Sequence, residues 1–312
     1  MRVTIAGAGL IGRGWAAAFA RAGWHVALWD RAPAVLPGAE AAVRATLADM
    51  TALGLILADA PAAQISTHAD LAKALQGTDY VQECVPESRD TKAAVFAELD
   101  ALTAAGVPIG SSTSTIAGSL FLADLPGRAR CMVAHPANPP HLMPVVELVP
   151  SDWHTASDLA AFQAILTSIG QVPVVLHAEI EGFVMNRLQA AVVNEAVALV
   201  AAGVIDPAGL DAVMKHSLGL RWALMGPFET MDLNAPSGFL DYATRYGRYY
   251  EAMGQQLSVA DPWPMATLEA IEVVRRTATP TPQLAERMAW RDRGLMQIMA
   301  LKAKLDSEGK TE

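Results

Sequence analysis

The chain has 312 residues, 52% hydrophobic and 18% charged, so it can bury a large core but is long for one, and two domains are expected. Its net charge of −9 leaves no basic excess to neutralise phosphate, which argues against nucleic acid or an anionic membrane as partner. The only cysteines, Cys84 and Cys131, sit in apolar runs and make neither a disulfide framework nor a metal-ligand spacing, so no metal and a cytoplasmic compartment are expected.

Residues Arg2 to Ala6 read as a short buried strand, followed by a glycine-rich turn, a helical run from Ile11 to Ala22 and a second strand, His25 to Trp29. The apolar start resembles a signal peptide, but its glycines belong to the turn, and secretion is not expected. A helix-rich stretch from Ala34 to Leu53 comes next. Apolar strand candidates then recur at Tyr80–Val85, Pro108–Ser111, Cys131–Ala134, Val145–Val149 and Val172–Leu176. Alternating strands and helices of this kind make an α/β, Rossmann-type doubly wound sheet with helices on both faces. From about residue 181 helix-period runs rich in Ala, Leu, Val and Met replace the strands. The expected division is therefore 1–180 for a nucleotide-binding domain and 181–312 for an all-helical domain that binds substrate and dimerises, with the substrate between the two. The apolar stretch Leu188–Ile205 is broken by Asn194 and Glu195, which suits a buried helix better than a membrane span. The tail, Lys302 to Glu312, reads as a solvated helix end or a frayed terminus.

Gly7-Ala8-Gly9-Leu10-Ile11-Gly12 follows the first strand and opens the first helix, the context in which a G-x-G-x-x-G string carries meaning. Gly7 permits the tight turn, Gly9 removes a side chain that would block a pyrophosphate, and Gly12 lets helix and strand approach. Free amides at the helix start, including those of Leu10 and Ile11, suit the anion. The second strand ends in Asp30, whose carboxylate accepts hydrogen bonds from ribose hydroxyls and repels a 2′-phosphate, so NAD is expected. Arg31 beside it can stack on adenine. The bland alternative is a glycine turn with no ligand.

Four polar residues stand out further on: Ser114, His135, Glu147 and Asn186. His135 ends an apolar run, at the strand end where α/β sheets place ligands. Glu147 lies inside PVVELVP, where an unpaired carboxylate is costly and needs a partner. The turn Ala137-Asn138-Pro139-Pro140-His141 can bring the two strands side by side, pairing Glu147 with His135. The carboxylate then orients the imidazole while His135 takes a hydroxyl proton. Taken singly, Ser114 reads as a loop serine and Asn186 as a residue at a helix start.

With SSTST, AHPANPP, VVELV and GFVMNRL carrying those four residues in order, the chain resembles the L-3-hydroxyacyl-CoA dehydrogenase superfamily. Through QECVPE, HPANPPHLMPVVELVP, EGFVMNRLQ and GLRWALMGPFETMDLNA it is most similar to the lambda-crystallin, or L-gulonate 3-dehydrogenase, branch, over nearly the whole chain. The resemblance implies an NAD-dependent dehydrogenase acting on a 3-hydroxyl, a homodimer, Ser114 and Asn186 holding the substrate oxygen and the nicotinamide side, and Glu87, Lys92 and Asn138 touching the cofactor. Lys92 reads equally well as a solvated charge on the helix after Pro86.

Arg221, in Gly219-Leu220-Arg221-Trp222, departs from the acyl-CoA enzymes and suits a substrate carboxylate held by two parallel hydrogen bonds, hence a free hydroxy acid rather than a thioester. An interdomain salt bridge is the alternative. The same stretch resembles L-carnitine dehydrogenases, whose substrate would want an aromatic cage; Trp222, Phe228, Tyr242, Tyr246, Tyr249 and Tyr250 are its candidates, although such spacing also suits a core or an interface. A crystallin-like structural role, or an NAD-binding sensor without turnover, remains a reading of a different class.

Overall fold

Strands of three to six residues, most of them apolar on both faces, have to be covered by helices on both sides. The computed structural model describes residues 1–56, 63–256 and 263–308, and in it eight strands make one sheet. They are β1 (Arg2–Ala6), β2 (His25–Trp29), β3 (Ile65–His68), β4 (Tyr80–Glu83), β5 (Ile109–Ser111), β6 (Cys131–Pro136), β7 (Val145–Val149) and β8 (Val172–Val175). Their order across the sheet is β3-β2-β1-β4-β5-β6-β7-β8, and all neighbours are parallel except β6 and β7. The order reverses between β1 and β4, and a sheet of this type binds ligands in the crevice beyond the carboxyl ends of such strands.

The helices of this sheet are α1 (Leu10–Arg21), α2 (Leu36–Ala52), α3 (Leu71–Leu75), α4 (Arg89–Leu102), α5 (Ser119–Leu122) and α6 (Ala156–Ser168). Successive strand side chains point to opposite faces. Met132 and Ala134 of β6 accordingly pack with Trp15 and Phe19 of α1, Val43 of α2 and Phe162 of α6. Cys131 and Val133 of the same strand join Ala74 of α3, Phe96 of α4 and Leu122 of α5 in a second cluster. The doubly wound architecture expected from the strand and helix alternation is thus what the chain adopts. Sequence reading passed over β3, an edge strand whose four residues, ISTH, are all only half-buried. With two polar residues and no continuous apolar run, it lacks the usual signature of a buried strand.

The rest of the described chain is helical: α7 (Met185–Ala201), α8 (Pro207–Val213), α9 (Gly219–Trp222), α10 (Pro227–Leu233), α11 (Phe239–Gly254), α12 (Met265–Ala278) and α13 (Leu284–Glu308), with a short π-helical turn at Met214–Leu218. By contacts the chain forms two compact units, Met1–Arg187 with Asp292–Glu312, and Leu188–Arg291. This division differs from one at residue 180, because α13 returns its last turns to the first unit, where Met296 is buried with Met50 and Leu142. Such a return leaves no local trace in sequence. In α7, within the single chain, only Val197 is buried and Leu188 is 62% exposed. Of the tail, α13 extends to Glu308, and residues 309–312 lie outside the described residues. Among the described residues no helix is long and apolar enough to cross a membrane, and no group of His, Cys, Asp and Glu is arranged to hold a metal ion.

Candidate active site

The turn after β1 leaves no room for side chains at two of its glycines. Gly7 has φ +115°, and a Cβ there would stand 2.5 Å from the Cys84 carbonyl oxygen. At Gly12 a Cβ would fall 1.8 Å from the Gly7 carbonyl oxygen, so α1 can start this close to β1 only without one. Around Gly9, by contrast, a Cβ would meet nothing within 4 Å, and Leu10 is 56% exposed. Here the space belongs to the surface side, over the unpaired first-turn amides of α1, which is the cradle a pyrophosphate needs. Asp30, at the end of β2, accepts hydrogen bonds from the Ala8 amide (2.8 Å) and the Ala32 amide (2.9 Å), which anchors its carboxylate against the glycine turn. Arg31 is exposed, paired with Glu98 at 2.8 Å and placed over the Trp29 ring. These residues fit a dinucleotide.

Farther along the sheet, the single antiparallel step puts His135 of β6 directly opposite Glu147 of β7. Both side chains are buried, and His135 Nδ1 lies 2.7 Å from Glu147 Oε2. The other carboxylate oxygen accepts the amides of Val184 and Met185, each at 2.9 Å, at the start of α7. Burial would raise the Glu147 carboxyl, but the hydrogen bond from His135, the two amides and the charge of a protonated His135 together hold it below the ordinary carboxylate range. An ionised Glu147 can only accept, so Nδ1 carries a proton towards it, which in the neutral imidazole leaves the lone pair on Nε2. Phe183, fully buried at φ +51°, packs against the imidazole with ring centroids 5.3 Å apart. That strained residue bends the chain so that α7 aims its first amides at Glu147.

Asn186, on the first turn of α7, donates from Nδ2 to the Ser114 carbonyl at 2.7 Å. The Ser114 loop is itself tied to Glu87, whose Oε1 accepts from the Thr113 hydroxyl (2.7 Å), the Ser114 amide (2.8 Å) and the Thr115 amide (3.0 Å). Burial opposes ionisation of Glu87, yet these donors and Lys92 bring its carboxyl below the usual range. The structure therefore brings Ser114, His135, Glu147 and Asn186 into one hydrogen-bonded assembly through the backbone of residues 184–186.

Lys92 is not the solvated charge that its sequence position allows. It is 1% exposed, with Nζ 3.0 Å from Glu83 Oε1 and 3.4 Å from Glu87 Oε2. Glu83 and Phe183 are the residues that sequence reading missed. An acid closing the apolar strand YVQE is the same signal that singled out Glu147, whereas the positive φ of Phe183 has no signal in sequence.

Asn138 is exposed in the turn between β6 and β7. Arg221 belongs to the second compact unit and sits on α9, in a helical turn rather than a loop. It is exposed and makes no salt bridge among the described residues. Of the aromatic candidates, Tyr242, Tyr246 and Tyr250 share one face of α11: the first two rings are 4.8 Å apart, and the Tyr242 and Tyr250 hydroxyls 2.9 Å.

Residues 2–180 match the model of the 3-hydroxyacyl-CoA dehydrogenase NAD-binding domain, and residues 182–280 that of the 3-hydroxyacyl-CoA dehydrogenase C-terminal domain. The chain belongs to the 3-hydroxyacyl-CoA dehydrogenase family. It is an NAD-dependent dehydrogenase of that family, and the glycine cradle lies in its NAD-binding domain. It is 41% identical to a lambda-crystallin homolog of Bos taurus, over 97% of this chain and 96% of that one. It is also 32% identical to an L-carnitine dehydrogenase of Streptomyces coelicolor, over 98% and 96% of the two chains. Among solved structures, a 5-formyl-3-hydroxy-2-methylpyridine 4-carboxylic acid 5-dehydrogenase, described as an NAD+ dependent dismutase, superposes with TM-score 0.83 at 28% identity, covering 96% of this chain and 97% of that one.

Proposed function

We propose that this family member oxidises the 3-hydroxyl of a small free hydroxy acid, in the manner of an L-gulonate 3-dehydrogenase, with His135 as the general base. The observation that carries the reading is the buried pair of His135 and Glu147 at 2.7 Å. Glu147 fixes the tautomer, Nε2 accepts the hydroxyl proton, and the resulting imidazolium is stabilised by the carboxylate beside it. Bound NAD supplies the hydride acceptor. Gly7, Gly9, Leu10, Ile11, Gly12, Asp30 and Arg31 hold the dinucleotide, and the Ser114 hydroxyl and the Asn186 side chain hold the substrate oxygen.

Arg221 is the proposed carboxylate anchor, because an exposed guanidinium without an acidic partner among the described residues is available to one. L-Carnitine is the second candidate substrate, on account of the tyrosine face of α11 and the 32% identical carnitine dehydrogenase. A homodimer is supported by the apolar side chains that the second unit exposes, among them Leu220, Phe228 and Leu240 at 67%, 73% and 77%. Two unpaired thiols, Cys84 and Cys131, support a cytoplasmic location.

The test is NADH formation followed at 340 nm with L-gulonate, L-carnitine, L-3-hydroxybutyrate and its CoA thioester. Preference for a free acid supports the anchor; preference for the thioester overturns it. In His135→Ala, turnover falls about 10²- to 10⁴-fold if His135 is the base, and wild-type turnover in this variant refutes the assignment.

A further inference from the structure

Arg31 follows Asp30, the carboxylate proposed to meet the adenosine ribose, and its guanidinium is already engaged. Asp30 is fixed by the Ala8 and Ala32 amides at 2.8 and 2.9 Å, so the next residue projects from a set point at the end of β2. The Arg31 guanidinium lies over the Trp29 ring, 5.9 Å from its centroid, and donates from Nη2 to Glu98 Oε1 of α4 at 2.8 Å. Trp29 shares a buried cluster with Phe96 and Leu99, which brings Glu98, on the same stretch of α4, to the end of β2. The pair is exposed, 66% for Arg31 and 46% for Glu98, and an exposed pair adds little to stability. Its consequence is local charge. In dinucleotide sites of this type a nearby arginine is what accommodates a 2′-phosphate. Here that arginine comes with its own carboxylate, in a chain whose Asp30 already disfavours the phosphate.

We propose that Glu98 is a specificity-determining residue for the cofactor: by occupying and neutralising Arg31 it keeps the guanidinium from serving a 2′-phosphate, and so favours NAD over NADP. The proposal rests on the placement of Arg31 in the dinucleotide site. A phosphate monoester carries about −1.5 to −2 charge at pH 7, so a 2′-phosphate has to displace Glu98 from Arg31 and then remain near two carboxylates. NAD, with a hydroxyl at that position, meets neither cost. Asp30 accepts the hydroxyl, and the pair of Arg31 and Glu98 stays closed. Discrimination therefore has two parts, a direct one from Asp30 and an indirect one from Glu98 through Arg31. Substitution at Glu98 removes the second alone.

The experiment compares wild type, Glu98→Gln, Arg31→Ala and Arg31→Ala/Glu98→Gln. Dissociation constants for NAD and NADP are read by displacement of fluorescent bound NADH at about 20 mM salt, where exposed charges are weakly screened. Both side chains are exposed, so the fold should tolerate the changes, and a thermal melt checks it. In Glu98→Gln the ratio of the NADP constant to the NAD constant should fall by about 3- to 10-fold through tighter NADP binding, and the gain should shrink at about 0.5 M salt. In the Arg31→Ala background the same substitution should leave the ratio within about twofold, because the effect runs through the guanidinium. An unchanged ratio in Glu98→Gln overturns the proposal, as does a ratio that falls only because NAD binds more weakly. An equal fall in both backgrounds overturns it too, since Glu98 would then act on the phosphate directly. If Arg31→Ala alters the affinity of neither nucleotide, Arg31 leaves the dinucleotide site and the proposal fails with it. An Arg31→Ala effect beside an unchanged Glu98→Gln ratio sinks only the role of Glu98.

Discussion

Replacing Glu147 by glutamine changes one atom of the buried pair and tests the tautomer argument directly. The introduced amide keeps an oxygen for the Val184 and Met185 amides, now 2.9 Å from Glu147 Oε1, so the fold and the start of α7 are preserved. Its NH2 group then faces His135 Nδ1, where the carboxylate oxygen stands at 2.7 Å. Two donors cannot share that contact, so Nδ1 must give up its proton and Nε2 must carry one. The histidine then presents a hydrogen where it has to accept one. Loss of the charge-assisted hydrogen bond is worth about 1.5–3 kcal/mol, or about 10- to 150-fold in rate, and the inverted tautomer carries the total towards about 10⁴-fold. Steady-state NADH formation gives kcat, and a thermal melt checks that the folded fraction is unchanged. A Glu147→Gln enzyme with kcat within about threefold of wild type would refute the pairing as the basis of proton transfer.

Gly12→Ala places a Cβ against the Gly7 carbonyl, at 1.8 Å if nothing moves, so α1 has to retreat from β1; NAD affinity should drop by at least about 10-fold, read by titration of the binary complex, and wild-type affinity would remove the close-packing argument. The carboxyls of Glu147 and Glu87 are both held below their ordinary range, so the stability they contribute is fully present above the unfolded carboxylate value and is lost as pH falls through the folded one. Melting temperature should therefore fall on acidification below about pH 4.5, more steeply in wild type than in Glu147→Gln, and equal slopes would contradict the shift. Burial pushes the Cys84 and Cys131 thiols up to about 12, so neither should react with a thiol reagent at about pH 8 until the chain unfolds. Rapid labelling of the native protein would show that one of the two is reached by solvent.

Much of the active-site arrangement follows from local chemistry that sequence exposes. A glycine turn between strand and helix, an acid closing the second strand, and a histidine and a glutamate in neighbouring apolar runs each break a local preference, and such breaks are readable because burying them without a partner is costly. The strand and helix alternation likewise set the doubly wound sheet, since segments apolar on both faces have no other way to be covered.

What tertiary structure alone decided depends on contacts between distant parts of the chain. The register that puts His135 opposite Glu147 is a property of the antiparallel step between β6 and β7, and a slip of one residue in either strand would turn its side chain to the other face and part the two. That Lys92 is the buried partner of Glu83, the positive φ of Phe183 and the return of Met296 to the first unit were illegible. A lysine at position 92 has the same sequence context whether water or a carboxylate surrounds it; only the folded chain determines which.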